Sequence, residues 1–103
     1  MRTIRYSKTS LDQLTDLLAQ GEPRFGTQVV ARKQTLVYAC IHNHLASFPA
    51  SRTRDPDLGL HIYPVTKTPF LLVYDFDDNE LRIHFVLHAR ADRSRINLAD
   101  IEW

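Results

Sequence analysis

The sequence predicts an α+β fold, a βααβββ arrangement in which a helical hairpin packs on a small, largely antiparallel sheet. Two observations carry this. The apolar period changes once along the chain, from helical spacing before Pro49 to a period of two beyond the loop that follows. The elements also read in the order strand, helix, helix, strand, strand, strand, which is segregation rather than α/β alternation.

Residues 2–6 alternate polar and apolar side chains, with Ile4 and Tyr6 on one face, and read as a short strand. Ser10 and Gln13 match a capping box. Leu11, Leu14, Leu17 and Leu18 then follow at helical spacing, and Gly21 with Pro23 predicts the helix end. A second helix begins near Thr27. Val29, Val30, Leu36, Val37, Cys40, Ile41, Leu45 and Phe48 form its apolar stripe, and Pro49 stops it. At about 1.5 Å per residue it reaches roughly 30 Å.

Residues 49–56, which include Arg52, Thr53 and Arg54, read as loop. Residues 58–63 and 70–76 read as strands. Asp77, Asp78 and Asn79 turn the second of these into a last strand over residues 81–87. Strict alternation there puts Leu81, Ile83, Phe85 and Leu87 on one face and Arg82, His84, Val86 and His88 on the other. In residues 92–103, Ile96, Ala99 and Trp103 fit either one helical face or an extended tail. Trp103 is expected to pack on the sheet or on a partner, because an exposed indole gains little from water.

At 103 residues the chain is one domain's worth. Its 44% hydrophobic and 24% charged residues are those of a folded globular protein and exclude global disorder. The formal net charge of +1 does not announce a nucleic-acid binder, although ten arginines against three lysines favour planar contacts with carboxylates or phosphates. With a single cysteine, Cys40, no intrachain disulfide forms. No apolar run approaches the roughly 20 residues of a membrane span, and no hydrophobic stretch follows the basic amino terminus. The expected setting is therefore cytoplasmic, with no membrane partner.

Five histidines raise the question of a metal. His42 and His44 are two apart on a helix and point apart, whereas His84 and His88 are roughly 13 Å apart along a strand. Neither pair holds a zinc ion alone, so no metal site is expected. Three glycines do not build a phosphate cradle, and no nucleotide-binding motif is present, so no cofactor is expected either. Cys40 lies on the apolar stripe as a small core hydrophobe. Charge is more informative. Asp75, Asp77, Asp78 and Glu80 form an acidic turn, and from Arg82 to Arg95 four arginines face one aspartate. His88, Arg90, Arg93 and Arg95 sit where the last strand ends, a rim suited to RNA phosphates, to an acidic partner helix, or to solvation alone.

The segment PFLLVYDFDDNELRIHFVLHARADR, from Pro69 to Arg93, resembles the end of RelE/ParE toxins of bacterial type II toxin–antitoxin systems. That family closes with an aromatic-ending strand, an acidic turn, an Ile/Val-rich strand and a His-x-Arg-x-Asp close, here His88, Arg90 and Asp92. Upstream, Tyr6-Ser7 before an amphipathic helix, Phe48-Pro49 after the second helix, and Gly59-Leu60 before a strand are similar to the family's order. The resemblance covers nearly the whole chain and implies the βααβββ toxin fold. It implies a cognate antitoxin as partner in a hetero-oligomer, and one of two targets. RelE-like members are metal-independent ribonucleases that cleave mRNA on the ribosome; in that reading His61 and His84 are acid and base and Arg82 and Arg90 the phosphate clamp. ParE-like members bind and poison DNA gyrase.

Most positions that carry the ribonuclease chemistry are lost here. The late tyrosine position is Ile96, and the strand after Gly59 offers only Lys67 as a base beyond it. The ParE-like reading is therefore preferred, with His88, Arg90, Arg93 and Arg95 as target-binding residues. A member that binds antitoxin without toxicity is the third reading.

Overall fold

In the computed structural model, which describes residues 2–51, 54–91 and 96–103, two helices pack on one face of a five-stranded mixed sheet. The strands are β1 (Thr3–Tyr6), β2 (Arg54–Asp55), β3 (Leu60–Pro64), β4 (Phe70–Phe76) and β5 (Glu80–His88), in the order β1-β5-β4-β3-β2. Strands β2 to β5 pair antiparallel, as the sequence predicts, while β1 pairs parallel to β5. The two-residue β2 falls in the stretch expected to be loop. Arg52 and Thr53 lie outside the described residues.

Helix α1 (Lys8–Phe25) starts one turn earlier than the Ser10 capping box implies. Its cap is Ser7, whose Oγ accepts the Ser10 N–H at 2.8 Å and donates to the His84 carbonyl at 2.7 Å. Gln13 makes no capping contact and instead takes the Val86 N–H on its Oε1 at 2.9 Å. The reason is topological. Strand β1 covers the outer edge of β5 only as far as Ile83, and polar side chains of α1 satisfy the backbone beyond it.

Gly21 and Pro23 do not end α1, which runs on to Gly26. Gly26 holds φ 83° and ψ 165°, a region closed to residues with a Cβ, and its N–H bonds the Glu22 carbonyl at 2.9 Å. Helix α2 (Thr27–Ala39) follows at once and widens over Cys40–Leu45, where the Ala46 N–H reaches back five residues to the Ile41 carbonyl. One extra residue in a turn rotates everything after it by about 100°. Leu45 and Ala46 are therefore buried, and Phe48, expected on the apolar stripe, is 63% exposed.

A second irregularity lies in β5. Val73 pairs with Phe85 but Tyr74 pairs with Ile83, so His84 is an extra residue, a β-bulge. The expected alternation breaks there. Leu81, Ile83 and Val86 face the helices and join Leu14, Val37, Ile41, Leu72 and Tyr74 in the main core. Phe85 turns to the other face, where with Leu60 and Val73 it forms a second cluster against Leu87, Ile96 and Ile101.

Residues 96–103 lie across that second face, extended except for one tight turn at Leu98–Asp100. The Glu102 carbonyl accepts the Lys8 N–H at 2.6 Å, and the Glu102 N–H donates to Thr9 Oγ1 at 2.9 Å. Trp103 packs edge-on against His84 and lies under the Arg5 guanidinium at 4.8 Å, as expected of a terminal indole with a surface to cover. Among the described residues no helix is long and apolar enough to cross a membrane.

Candidate functional site

The arginine rim expected from Arg82 to Arg95 divides in two. Arg82 belongs to the β4–β5 turn, where its Nε donates to Asp75 Oδ1 at 2.7 Å and its Nη1 to Asp77 Oδ2 at 2.9 Å and Glu80 Oε1 at 3.2 Å. These bonds hold the guanidinium well above its ordinary pKa. Burial pushes the Asp75 carboxyl up, but hydrogen bonds from Arg82 and His84 outweigh it and leave the group below the usual range. The Arg82 bond, helped by the Asn79 and Glu80 N–H groups, lowers Asp77 to about 2. Arg82 is thus surrounded by three carboxylates, and the turn as a whole stays acidic.

His61 and His84 do not meet. His61 sits directly opposite Tyr74 on β4 and stacks on its ring at 5.4 Å, on the helix side of the sheet. His84 lies on the other side, with Nε2 at 2.9 Å from Asp75 Oδ1 and its Nδ1 buried without a hydrogen-bond partner among the described residues. The sheet separates the pair that a ribonuclease reading needs as acid and base. The bulge also separates His84 from His88, which the alternation placed on one face. His42 turns to the Tyr6 hydroxyl at 3.0 Å and His44 to Ser51 Oγ at 3.2 Å. Among the described residues no three ligand-type side chains cluster as a metal site would require.

His88 and Arg90 stand at the far end of β5, six and eight residues from Arg82, roughly 20 Å along the strand. Arg90 is exposed, its N–H bonds His88 Nδ1 at 3.1 Å, and among the described residues its guanidinium has no ion pair. Arg93 and Arg95 lie outside the described residues.

Pairing opposite Phe70, His88 faces the helices and helps line a cleft of about 140 Å³ between the tip of the helical hairpin and the end of the sheet. Leu17, Leu18, Val30 and Phe70 give the cleft apolar walls, and Arg24 and Lys33 join His88 at its rim. Phe25, 51% exposed, closes one side with the Lys33 ammonium 4.3 Å and the Arg24 guanidinium 5.6 Å from its ring centre. Sequence reading missed Arg24, Phe25 and Lys33 as site residues. The available signal was two basic residues and a large apolar one flanking a helix–helix turn, which acquires meaning only once the turn is placed at Gly26.

No protein-family model matches the chain, and no curated protein matches it in sequence. In structure it is similar to a chain of the chromosomal ParDE TA system from P. aeruginosa, with a TM-score of 0.75 at 10% sequence identity, over 85% of this chain and 96% of that one. At so low an identity the likeness is one of fold: two helices on a five-stranded mixed sheet, the α+β architecture that the RelE/ParE resemblance implies.

Proposed function

We propose that this chain is the toxin of a type II toxin–antitoxin system and that it acts by binding a protein, in the manner of a ParE-like inhibitor of DNA gyrase, with a cognate antitoxin as its neutralising partner. The observation that carries the system-level reading is the fold likeness to a chain of a ParDE TA system. Two features support protein binding over RNA cleavage. Phosphodiester cleavage needs an acid and a base on one side of the reacting phosphate and cations for its transition state. Here His61 and His84 lie on opposite faces, and Arg82 is surrounded by Asp75, Asp77 and Glu80. Among the described residues, His88 and Arg90 at the other end, with Arg24 and Lys33, form a group of basic side chains without an ion pair and are the cations proposed for a partner.

Induced expression in a bacterial host tests the reading. Growth arrest with DNA breaks and an SOS response is the expected result. Rapid loss of translation with cleaved mRNA would move the chain to the ribonuclease branch. Unimpaired growth would leave an antitoxin-binding member without toxicity.

A further inference from the structure

We propose that the cleft at the hairpin tip is the docking site of an acidic protein segment that inserts one large apolar side chain between Phe25 and Phe70. This deepens the toxin reading by giving the chemistry of a partner, and rests on that reading for the partner's role but not for the chemistry itself.

Size comes first. A void of about 150 Å³ takes a benzene ring, and this cleft is about 140 Å³, with Leu17, Leu18, Val30 and Phe70 as its apolar walls and Gln20, Arg24, Lys33 and His88 as its polar ones. One Phe or Leu side chain fits, whereas a whole helix face does not. Charge comes second. Arg24, Lys33 and His88 line the cleft and, among the described residues, no acidic one does. Two carboxylates of α1 lie outside the cleft lining: Glu22 Oε1 is 3.4 Å from Thr27 Oγ1, and Asp16 lines a neighbouring depression beyond Leu17. Carboxylates on either side of the inserted side chain would pair with Arg24 and Lys33, an arrangement that steers approach and fixes register. Chemistry decides between occupants. A nucleic-acid strand needs a run of phosphate contacts, and a net charge of +1 with an acidic β4–β5 turn disfavours one, whereas a short acidic segment needs only the cations at this cleft. A protein segment keeps its polar backbone outside and buries only hydrocarbon.

The test is a peptide-display selection on the immobilised full chain, followed by fluorescence anisotropy with the enriched peptides. Enriched sequences are expected to carry two or more Asp or Glu around a single Phe, Leu or Trp, and to bind more weakly as salt is raised. Two variants separate charge from shape. Arg24→Glu with Lys33→Glu, both at the surface, should weaken binding at least tenfold. Gly21→Leu should do the same without touching charge, because Gly21 lines the cleft and a Cβ there meets Phe25 and Val30 at the ordinary contact distances of 3.7 and 3.9 Å, which leaves the rest of the leucine to occupy cleft volume. Basic or uncharged peptides, affinity unchanged by either variant, or displacement by a single-stranded RNA with Gly21→Leu inert would each overturn the proposal. Wild-type expression without growth arrest would overturn only the toxin reading and leave the peptide result standing.

Discussion

Arg82 donates to Asp75, Asp77 and Glu80 at once, and this geometry sets how the acidic turn responds to pH. Asp77 titrates near 2 in the folded chain against about 3.9 unfolded, and Asp75 is also lowered. A depressed carboxyl contributes stability that is fully present above the unfolded value and is lost as pH falls through the folded one. The urea midpoint should therefore drop between about pH 4 and pH 2, and Asp77→Asn should flatten that drop. A midpoint as steep in the variant as in the wild type would count against the network. Arg82→Ala leaves three carboxylates facing one another. Because their outer members are in water, the expected cost is about 1 kcal/mol in urea denaturation. Arg90→Ala should stay within about 0.5 kcal/mol, since its side chain is exposed and has no ion pair among the described residues. The two arginines look alike in sequence, and only the register of β4 on β5 distinguishes them.

At the scale of elements, the strands and helices were legible because their apolar period is local, and their ends were less so. Gly21, Pro23 and Gly26 all qualify as stop signals by residue type, but only the one forced to positive φ ends the helix. Among the described residues nothing lies within 4 Å of a Cβ built at Gly26, so Gly26→Ala isolates the backbone term and should cost about 1–3 kcal/mol in thermal or urea unfolding. Gln13 carries a similar lesson. It matched a capping box by spacing, whereas its amide serves β5 across the fold. Gln13→Ala should leave the Val86 N–H without an acceptor and cost about 1–2 kcal/mol, with faster amide exchange at Val86 as the local readout. The two one-residue insertions, at Cys40–Leu45 and at His84, leave no signature in composition. They explain why Phe48 and the second half of β5 face the opposite way from their expected side.

At the scale of the whole molecule, the near-neutral sum of charges conceals a separation, with the acidic turn and Arg82 at one end of β5 and His88, Arg90, Arg24 and Lys33 at the other. The strand end supplied half of the basic site in sequence; the helical hairpin supplied the rest, from residues more than fifty positions away. The tail adds a further piece. Residues 96–103 cover Leu60, Val73 and Phe85, yet among the described residues few contacts attach them: those at Glu102, the packing of Ile96 and Ile101, and Trp103 between Arg5 and His84. A segment with so little buried apolar surface opens at a lower free energy than the core it covers. Trp103 is the only tryptophan and is 44% exposed when docked, so its emission reports the tail while far-ultraviolet circular dichroism reports the helices and sheet. In urea the fluorescence transition should precede the dichroism transition, and Arg5→Ala should widen the gap by loosening the indole without reaching the main core. Coincident transitions in both proteins would mean that the tail unfolds with the rest and is an integral layer of the sheet.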